Sequence, residues 1–438
     1  MVRQARPLRA RFGRWLDVSA IGRFLLTLRH APLQRNSIVL MINSGTGMLF
    51  GMVFWVVGAR LYSPPDIGLA AALVSASGLI SLLSLLGFDL GLVRFLPGAH
   101  HGKTLITSCL TMSTVVSMAA SAIFIAGVPL WTPELRFLQS AIPALLFIAT
   151  TAAGTLIALQ AQVFIARRRP EYAWTQTLIS SMGRIPLAFL LIAYGGQGIW
   201  QAWVISTIVG AAVGYFTLIK TESEYSVRPS IDMKTLRGIA SFSAGGYISN
   251  LAGTAPVYVL PLITLSVLGP EATAYYYLGY RVASVLYTLP WLVGMSLFVE
   301  GSHAPVRLKQ LSSDTLKLVL AVIAVGLFIV LIFGRKLLLL FGAQYSESAL
   351  WVLWAVSISA IPYAFNEVFL VIQRVRLKVA VTVYFSALIG AVVIGSSFLL
   401  LPRLGLPGAG LGWLIGHAAG AVCVALWFYG PYRRKALD

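Results

Sequence analysis

The stretch at residues 275–291, YYYLGYRVASVLYTLPW, decides the fold because it is a helix-length run of apolar and aromatic residues. Its only charged residue is Arg281, and no acidic residue lies within nine positions on either side. A charged side chain at the bilayer centre costs about 2.5–3.5 kcal/mol on insertion scales, and such side chains usually face a bundle interior or a watery cavity. The stretch therefore predicts a membrane helix with one polar face.

Runs of this kind recur along the whole chain. Of its 438 residues, 58% are hydrophobic and only 11% are charged, whereas a soluble protein carries about 25% charged residues. A membrane helix needs about 20 apolar residues, and twelve runs reach that length, near residues 37–58, 67–87, 104–131, 138–165, 172–194, 198–219, 239–267, 272–299, 316–334, 348–372, 377–401 and 407–430. The sequence therefore predicts an all-α polytopic membrane protein.

The basic residues are distributed unevenly between the two sides of the predicted membrane. The formal net charge is +19, and 26 of the 33 Lys and Arg fall on the side that holds both termini, against five on the other side. This asymmetry is the positive-inside signal, so we predict that both termini are cytoplasmic. The charge then indicates anionic lipid headgroups as its partner, and not nucleic acid.

The spans group into two halves between basic ends. Residues 1–36 are predicted to be either an amphipathic helix on the cytoplasmic membrane surface or a disordered basic tail, because apolar residues recur there at helical spacing. Two six-helix bundles, residues 37–219 and 239–430, follow, joined by a cytoplasmic linker at residues 220–238. A basic cytoplasmic tail at residues 431–438 ends the chain.

The two predicted bundles match each other in sequence. At a shift of 205 residues, Pro65-Asp66 matches Pro270-Glu271, and Val163-Phe164 matches Val368-Phe369. At a shift of 210, Gly198, Trp203, Ile205 and Gly210 match Gly408, Trp413, Ile415 and Gly420. Because each half has an even number of spans, both halves begin on the same side and the repeats are parallel. Transporters built from such repeats bind substrate near the midplane, between the halves.

Two spans carry an arginine on a polar face. Residues three or four apart share a helix face, and such faces are formed by Tyr277, Arg281, Ser284 and Thr288 in the eighth span, and by Thr177, Ser180, Ser181 and Arg184 in the fifth. Buried guanidinium groups without buried acids indicate that the counter-ion is a ligand, and their fork suits phosphate oxygens. The alternative is that backbone carbonyls or a distant carboxylate such as Glu367 satisfy them.

Four other polar residues inside predicted spans are candidates for the site. Glu367 near the cytoplasmic end of the tenth span either carries a coupling proton or sodium ion together with Asn366, or pairs with Arg374 or another basic residue at that interface. Asn43 and Asn250, 207 residues apart, occupy corresponding positions in the first and seventh spans. Intramembrane asparagines often bond across helices, and a cavity position is the alternative.

The sequence lacks motifs for catalysis or cofactor binding. It has no Walker A motif, no HExxH and no clustered His, Cys and Asp set for a metal. Cys109 and Cys423 both fall in spans and indicate neither a disulfide nor a zinc site. The predicted outward loops are short. We therefore expect neither an enzyme nor a cofactor.

Four segments together resemble one group of membrane proteins: residues 59–97, 268–303, 341–378 and 405–417, the last reading GLPGAGLGWLIGH. In order and spacing they are similar to the polysaccharide-transporter (Wzx-like) branch of the MOP superfamily, which also includes MATE exporters and MurJ lipid II flippases. The resemblance implies twelve helices in two six-helix bundles around a central cavity, in the inner membrane of a bacterium.

The resemblance also implies a function. Such proteins move lipid-linked oligosaccharides from the inner to the outer leaflet of the cytoplasmic membrane, and cationic residues in the cavity hold the pyrophosphate. Arg281 and Arg60 lie in helices that supply such cations, and Arg184 is added from its own sequence context. Tyr277 and Tyr280 either stack on sugars or pack in the core.

Alternative functions remain open. They are a MATE-like exporter of small organic cations, a lipid II flippase, and a scaffold that assembles glycan-synthesis enzymes without transport of its own. The exporter requires buried carboxylates, of which Glu367 is the one credible example. The lipid II flippases carry more cavity charges than this chain.

Overall fold

The computed structural model describes residues 32–99, 101–222, 229–303 and 305–429. Within these ranges the chain is built of helices and contains no β-strand. The all-α prediction is confirmed. The predicted surface helix or tail before residue 32 and the basic tail at residues 431–438 lie outside the described residues.

Among the described residues, the first half contains seven α-helices besides three short 3₁₀ helices. They are α1 (Pro32–Leu61), α2 (Pro64–Ser84), α3 (Phe88–Phe95), α4 (Gly102–Trp131), α5 (Ala141–Ala166), α6 (Pro170–Leu190) and α7 (Gly196–Thr221). Helices α2 and α3 correspond to the second predicted span and its cytoplasmic end. They separate at Leu86 and Gly87, which both have positive φ angles, +53° and +78°.

The second half contains seven more. They are α8 (Met233–Ala283), α9 (Val285–His303), α10 (Leu308–Leu339), α11 (Ala343–Ser348), α12 (Leu350–Val375), α13 (Val379–Leu404) and α14 (Leu406–Tyr429). Asp232 begins α8 as its N-cap, because its carboxylate accepts from the backbone N–H groups of Lys234 and Thr235. The Thr235 hydroxyl also donates to this carboxylate, at 2.6 Å, and these bonds lower the pKa of Asp232.

Eleven helices of the described chain are long and apolar enough to cross a membrane, compared with twelve predicted spans. The absence of α6 from the eleven explains the number, while the seventh and eighth predicted spans differ only in their limits. The 51-residue α8 breaks at Gly269 (φ +84°, ψ −179°), so it holds the seventh span and the start of the eighth, which α9 completes. Helix α6, the fifth predicted span, is too polar to be among the eleven, yet it packs against α1, α5 and α7 like the other membrane helices.

The two halves repeat each other in backbone geometry. Helices α5 and α12 both have 26 residues. The turns that follow them place Arg168 and Leu377, 209 residues apart, at φ +58° and +55°. Gly195 and Gly405, which precede α7 and α14, have φ +57° and +65°, and the shift there is 210, as predicted.

The repeat also corrects one predicted match. The ends of α5 and α12 give a shift of 209, so Val163-Phe164 and Val368-Phe369, which match at 205, are four residues out of register. Four residues are about one helical turn, so both pairs still lie on the buried face. The apolar match in the sequence therefore identified the buried faces of α5 and α12 but not the register between the two helices.

A closely packed seam joins the halves. Helices α2 and α3 run antiparallel to α8, and a Cβ atom added at Gly68 would lie 1.7 Å from the carbonyl oxygen of Pro270. At the other end of the seam, a Cβ atom on Gly91 would lie 1.9 Å from the Ile239 side chain. The largest buried apolar cluster contains residues of both halves. This core places the first, fifth, sixth, seventh, eighth and tenth spans around one space.

Candidate functional site

Arg281 lies near the end of α8, where the helix breaks before α9. Its Nη2 donates to the Tyr277 hydroxyl at 2.7 Å, and its guanidinium carbon lies 5.0 Å from the centre of the Tyr277 ring. The Arg281 Nε is buried and has no hydrogen-bond partner among the described residues. Tyr277 therefore orients the guanidinium but leaves part of its donor fork unused.

At the break after Arg281, side-chain hydroxyl groups donate hydrogen bonds to backbone carbonyls. The Ser284 hydroxyl donates to the Arg281 carbonyl at 2.8 Å, and the Thr288 hydroxyl donates to the Ser284 carbonyl at 3.3 Å. Such side-chain bonds replace helical partners where a helix bends. The predicted polar face of Tyr277, Arg281, Ser284 and Thr288 thus exists, and it bends at Ser284.

Arg184 projects from α6 onto an aromatic ring. Its guanidinium carbon lies 3.6 Å from the centre of the Trp203 ring on α7, and its Nε is buried without a partner among the described residues. A cation over a tryptophan face is stabilised by about 0.5–2 kcal/mol. The stack fixes the plane of the guanidinium and leaves its edge free to donate.

Aromatic rings connect the two arginines. The Trp55 ring of α1 lies 6.3 Å from the Trp203 ring and 4.8 Å from the Tyr277 ring, measured between ring centres. Arg184 and Arg281 therefore contact the two ends of one aromatic row, formed by Trp203, Trp55 and Tyr277. Since Trp55 and Tyr277 are both buried, the row is a rigid support.

Both arginines line one cavity of about 850 Å³, which we call the arginine cavity. Its wall comes from α1, α6 and α7 of the first half and from α8, α9 and α12 of the second. The lining contains Arg184 and Arg281 but no Asp or Glu. Four of the α1 residues in the wall are small: Ser44, Gly45, Gly47 and Gly51.

Neither arginine is paired with a carboxylate in the described part of the chain. Glu367, the acid considered as a distant partner, forms its ion pair with Arg374 at 3.3 Å. At the described positions, no backbone carbonyl accepts a hydrogen bond from the side chain of Arg184 or Arg281 either. The acceptor at Arg281 is the Tyr277 hydroxyl. The arginine cavity is therefore a cationic space between the two halves.

Arg60 lies elsewhere than the sequence suggested. Its Nε donates to the Leu340 carbonyl at 2.9 Å and its Nη2 to the Leu339 carbonyl at 2.5 Å. These carbonyls end α10, where a helix leaves acceptors unsatisfied and carries partial negative charge. Arg60 is not in the lining of the arginine cavity. It connects the end of α1 to the end of α10.

The asparagines and tyrosines predicted as site residues do not all line the arginine cavity. Asn43 is half-buried on α1 and outside the arginine cavity, whereas the exposed Asn250 accepts from the Thr254 hydroxyl at 3.3 Å and lines a second cavity. Tyr280 lines the arginine cavity and stacks on Trp413, with ring centres 5.0 Å apart. Tyr277 is only 4% exposed.

This second cavity, of about 580 Å³, adjoins the first and is lined by the second half together with Leu90 of α3. The two share Trp291 and Tyr363. Glu367 and Asn366 line the second cavity together with His417 of α14. His417 was not among the expected site residues, although it ends the quoted segment GLPGAGLGWLIGH, because nothing in the sequence shows which face of α14 it occupies.

The architecture defines an integral membrane protein with two repeated halves around a cationic cavity. The chain belongs to the polysaccharide biosynthesis protein family, whose sequence model matches residues 33–298. The resemblance found in the sequence is thereby confirmed. No curated protein matches the chain.

Solved structures share the fold at low sequence identity. An inward-facing multidrug resistance MATE transporter of the MOP superfamily superposes with a TM-score of 0.71 and 14% identity, covering 89% of this chain and 95% of that chain. The lipid II flippase MurJ, in an inward closed conformation, gives 0.74 and 13%, covering 90% and 88%. A mutant of the Vibrio cholerae MATE transporter VcmN gives 0.60 and 18%, covering 93% and 98%.

Proposed function

We propose that this protein is a flippase that moves a lipid-diphosphate-linked oligosaccharide, a polysaccharide precursor, from the inner to the outer leaflet of a bacterial cytoplasmic membrane. One observation carries the proposal: two buried guanidinium groups with unused donors line one cavity between the halves, and no acid accompanies them. Membership of the polysaccharide biosynthesis protein family supports the glycan part of the substrate.

The two arginines suit a diphosphate better than a single anionic group. Arginine presents its N–H groups in a planar fork that binds two phosphate oxygens at once. Arg281 keeps its Nε for such a bond while Tyr277 holds its Nη2, and Arg184 is held flat against Trp203. Each phosphate of the headgroup can therefore meet one guanidinium, and the ligand supplies the negative charge that the cavity lacks.

The lipid chain can remain in the bilayer while the headgroup crosses. Helix α1 packs mainly on α6 and contributes to the cavity wall opposite α9. Large apolar side chains of both helices are exposed outside the two cavities, among them Ile42, Leu49 and Val299. An apolar tail would contact these side chains and the surrounding lipid, so only the polar headgroup needs the cavity.

Alternating access follows from the repeated halves. A substrate site at the interface of parallel repeats is exposed to either side when the halves rock. Both termini face the cytoplasm by the charge asymmetry of the sequence, so the basic face meets anionic lipid headgroups and can adjoin glycan-assembly enzymes.

The arginine cavity disfavours export of organic cations. Two guanidinium groups would repel a cationic drug, and Glu367, the carboxylate such an exporter needs, is already paired with Arg374. Glu367 can therefore couple transport to an ion only when its ion pair with Arg374 opens during the transport cycle.

The test is transport by purified protein in liposomes that carry a fluorescent lipid-diphosphate disaccharide. Movement between leaflets is followed with an external membrane-impermeant reductant. Wild-type protein is expected to expose the lipid, and Arg281→Ala is expected to slow this at least tenfold, because charged partners in buried pairs contribute more than about 1.4 kcal/mol. The matched control is Arg335→Ala, because Arg335 is an exposed arginine near the end of α10. This variant should transport the lipid like wild type.

Other outcomes point to the rivals. If wild-type protein moves no lipid, the scaffold function gains support, and proton-driven export of ethidium-like cations would identify an exporter. If lipid II and lipids with other glycans are offered together, preferential movement of lipid II would identify a lipid II flippase. Transport by Arg281→Ala at the wild-type rate would remove Arg281 from the proposal.

A further inference from the structure

The second cavity differs from the arginine cavity in charge and in chemistry. Its charged lining residues are Glu367 and Arg374, which neutralise each other in an ion pair at 3.3 Å. The arginine cavity carries two positive charges without an acid. The two cavities touch through Trp291 and Tyr363. One cationic space and one space without net charge thus lie side by side.

Polar groups around the second cavity have unused hydrogen-bonding capacity. Both ring nitrogens of His417 are buried and have no partner among the described residues, and the same holds for Oδ1 of Asn366. Asn366 does use its Nδ2, which donates to the His417 carbonyl at 2.9 Å. Since a buried polar group without a partner is destabilising by about 1–3 kcal/mol, such a cluster is unusual unless a ligand completes it.

His417 is held in place by aromatic packing alone. Its ring is stacked on Trp413 with centres 5.7 Å apart, and it lies 5.2 Å from the Tyr363 ring and 5.7 Å from the Tyr287 ring. A neutral imidazole offers one donor and one acceptor. Because the two nitrogens point to different sides of the ring, two hydroxyl groups complement them, one accepting from the N–H and the other donating to the second nitrogen.

Accessible groups complete the lining. Asn250 is exposed, and Trp291 is 44% exposed where the two cavities meet. Flat aromatic surface beside amide, imidazole and carboxylate groups suits a ligand with apolar ring faces and a rim of hydroxyls. A volume of about 580 Å³ lies within the range of small-ligand sites, about 300–1,000 Å³.

We propose that the second cavity binds the sugar residues next to the diphosphate, while the arginine cavity binds the diphosphate itself. This inference rests on the proposed function and adds to it a glycan subsite made by His417, Asn250, Asn366 and Trp291. A headgroup with an anionic part joined to an uncharged sugar matches the two adjoining spaces in order and in charge. The subsite makes the protein selective for the first sugars of its substrate.

The test compares two probes on purified protein in nanodiscs: geranylgeranyl diphosphate, and the same lipid diphosphate bearing a neutral disaccharide. His417→Phe keeps an aromatic ring, six-membered in place of the five-membered imidazole, and removes both nitrogens. Because these nitrogens bond to nothing in the described chain, the variant should keep or raise the melting temperature. It should weaken binding of the disaccharide probe about tenfold, the effect of losing one or two hydrogen bonds, and leave binding of the bare diphosphate unchanged.

Asn250→Ala is a second variant with the same expectation, and it changes an exposed side chain. Asn43→Ala is its control, because Asn43 occupies the corresponding place in the first half and lines neither cavity. The inference is overturned if His417→Phe and Asn250→Ala bind the disaccharide probe like wild type, or lose both probes equally. Arg281→Ala separates the two proposals: it should lose both probes, and wild-type binding of both would overturn the proposed function instead.

Discussion

Trp203 determines how Arg184 presents its charge. The guanidinium lies 3.6 Å from the ring centre, so the ring holds the cation inside the bundle and away from the membrane surface. We expect Trp203→Ala to slow lipid transport about 2- to 30-fold, the range that corresponds to a cation–π contribution of about 0.5–2 kcal/mol. Trp203→Phe should retain part of the rate, since it keeps an aromatic face.

The control for this prediction is Trp351→Ala, because Trp351 is 62% exposed on α12 and lines neither cavity. Transport rates in the liposome assay are compared at equal protein content. If Trp203→Ala transports like Trp351→Ala, the stack has no role in presenting Arg184.

Arg281→Lys separates charge from geometry. Lysine keeps the positive charge but offers a point donor in place of the fork, and it loses the bond that Arg281 Nη2 makes to Tyr277. We expect Arg281→Lys to transport faster than Arg281→Ala and at least about fivefold more slowly than wild type, the effect of about 1 kcal/mol. Equal rates for Lys and Arg would show that charge alone is sufficient.

The sequence predicted the arginines but not their surroundings. An arginine in an apolar run without acids is visible in the sequence, which is why Arg184 and Arg281 were expected to face a cavity. The stack on Trp203 is a contact between two helices, and composition does not show it. Arg60 was expected near the substrate because of its helix, but its reach to the ends of α10 depends on how the halves meet.

Helix α2 can lie against α8 only because glycine occupies the contact. At Gly68 an added Cβ atom would overlap the backbone of Pro270, which cannot move as a flexible side chain can. We expect Gly68→Ala to lower stability by about 1–3 kcal/mol, the usual effect of overpacking, and to lower the melting temperature of the purified protein.

Gly395→Ala is the matched helix variant, since nothing lies within 4 Å of a Cβ atom at that position. It should be neutral or slightly stabilising, because alanine favours the helix over glycine by about 1 kcal/mol. If Gly68→Ala melts at the same temperature as Gly395→Ala, the described contact between α2 and α8 is not present in solution.

Helix identity was easier to predict than helix limits. Spans seven and eight were expected to separate near residues 268–271, and the break at Gly269 inside α8 lies there, but the eighth span breaks again at Ser284. The linker expected at residues 220–238 is shorter, because α7 ends at Thr221 and α8 begins at Met233. Hydropathy shows where a chain can enter lipid, whereas caps and local bonds determine where a helix ends.

For the whole molecule, Arg60 is a contact between the halves at one end of the bundle. Its two bonds to the Leu339 and Leu340 carbonyls stabilise the arrangement in which α1 and α10 meet. We expect Arg60→Ala to shift the population toward states in which these ends separate. Spin labels at Glu134→Cys and Gln344→Cys, both exposed at that end, should then show longer distances by double electron–electron resonance.

Arg136→Ala is the control for this measurement, because Arg136 is exposed in the same region and has no described bond to the second half. An unchanged distance distribution in Arg60→Ala would show that the contact does not influence the opening of the halves.

The overall arrangement was predictable because it repeats. Glycine and tryptophan matches at a shift of 210 identified the sixth spans, and Gly195 and Gly405 share the same backbone turn. The presence of two cavities was not predictable. It depends on which faces of α9, α12 and α14 turn toward each other, and the apolar sequence of these helices leaves that orientation undetermined.

The most direct measurement is a cryo-electron microscopy structure of the protein in nanodiscs with a lipid-diphosphate disaccharide bound. The diphosphate is predicted to lie in the arginine cavity, with its oxygens about 2.7–2.9 Å from nitrogens of both Arg184 and Arg281. A diphosphate bound elsewhere, with both guanidinium groups left without an anionic partner, would contradict the account.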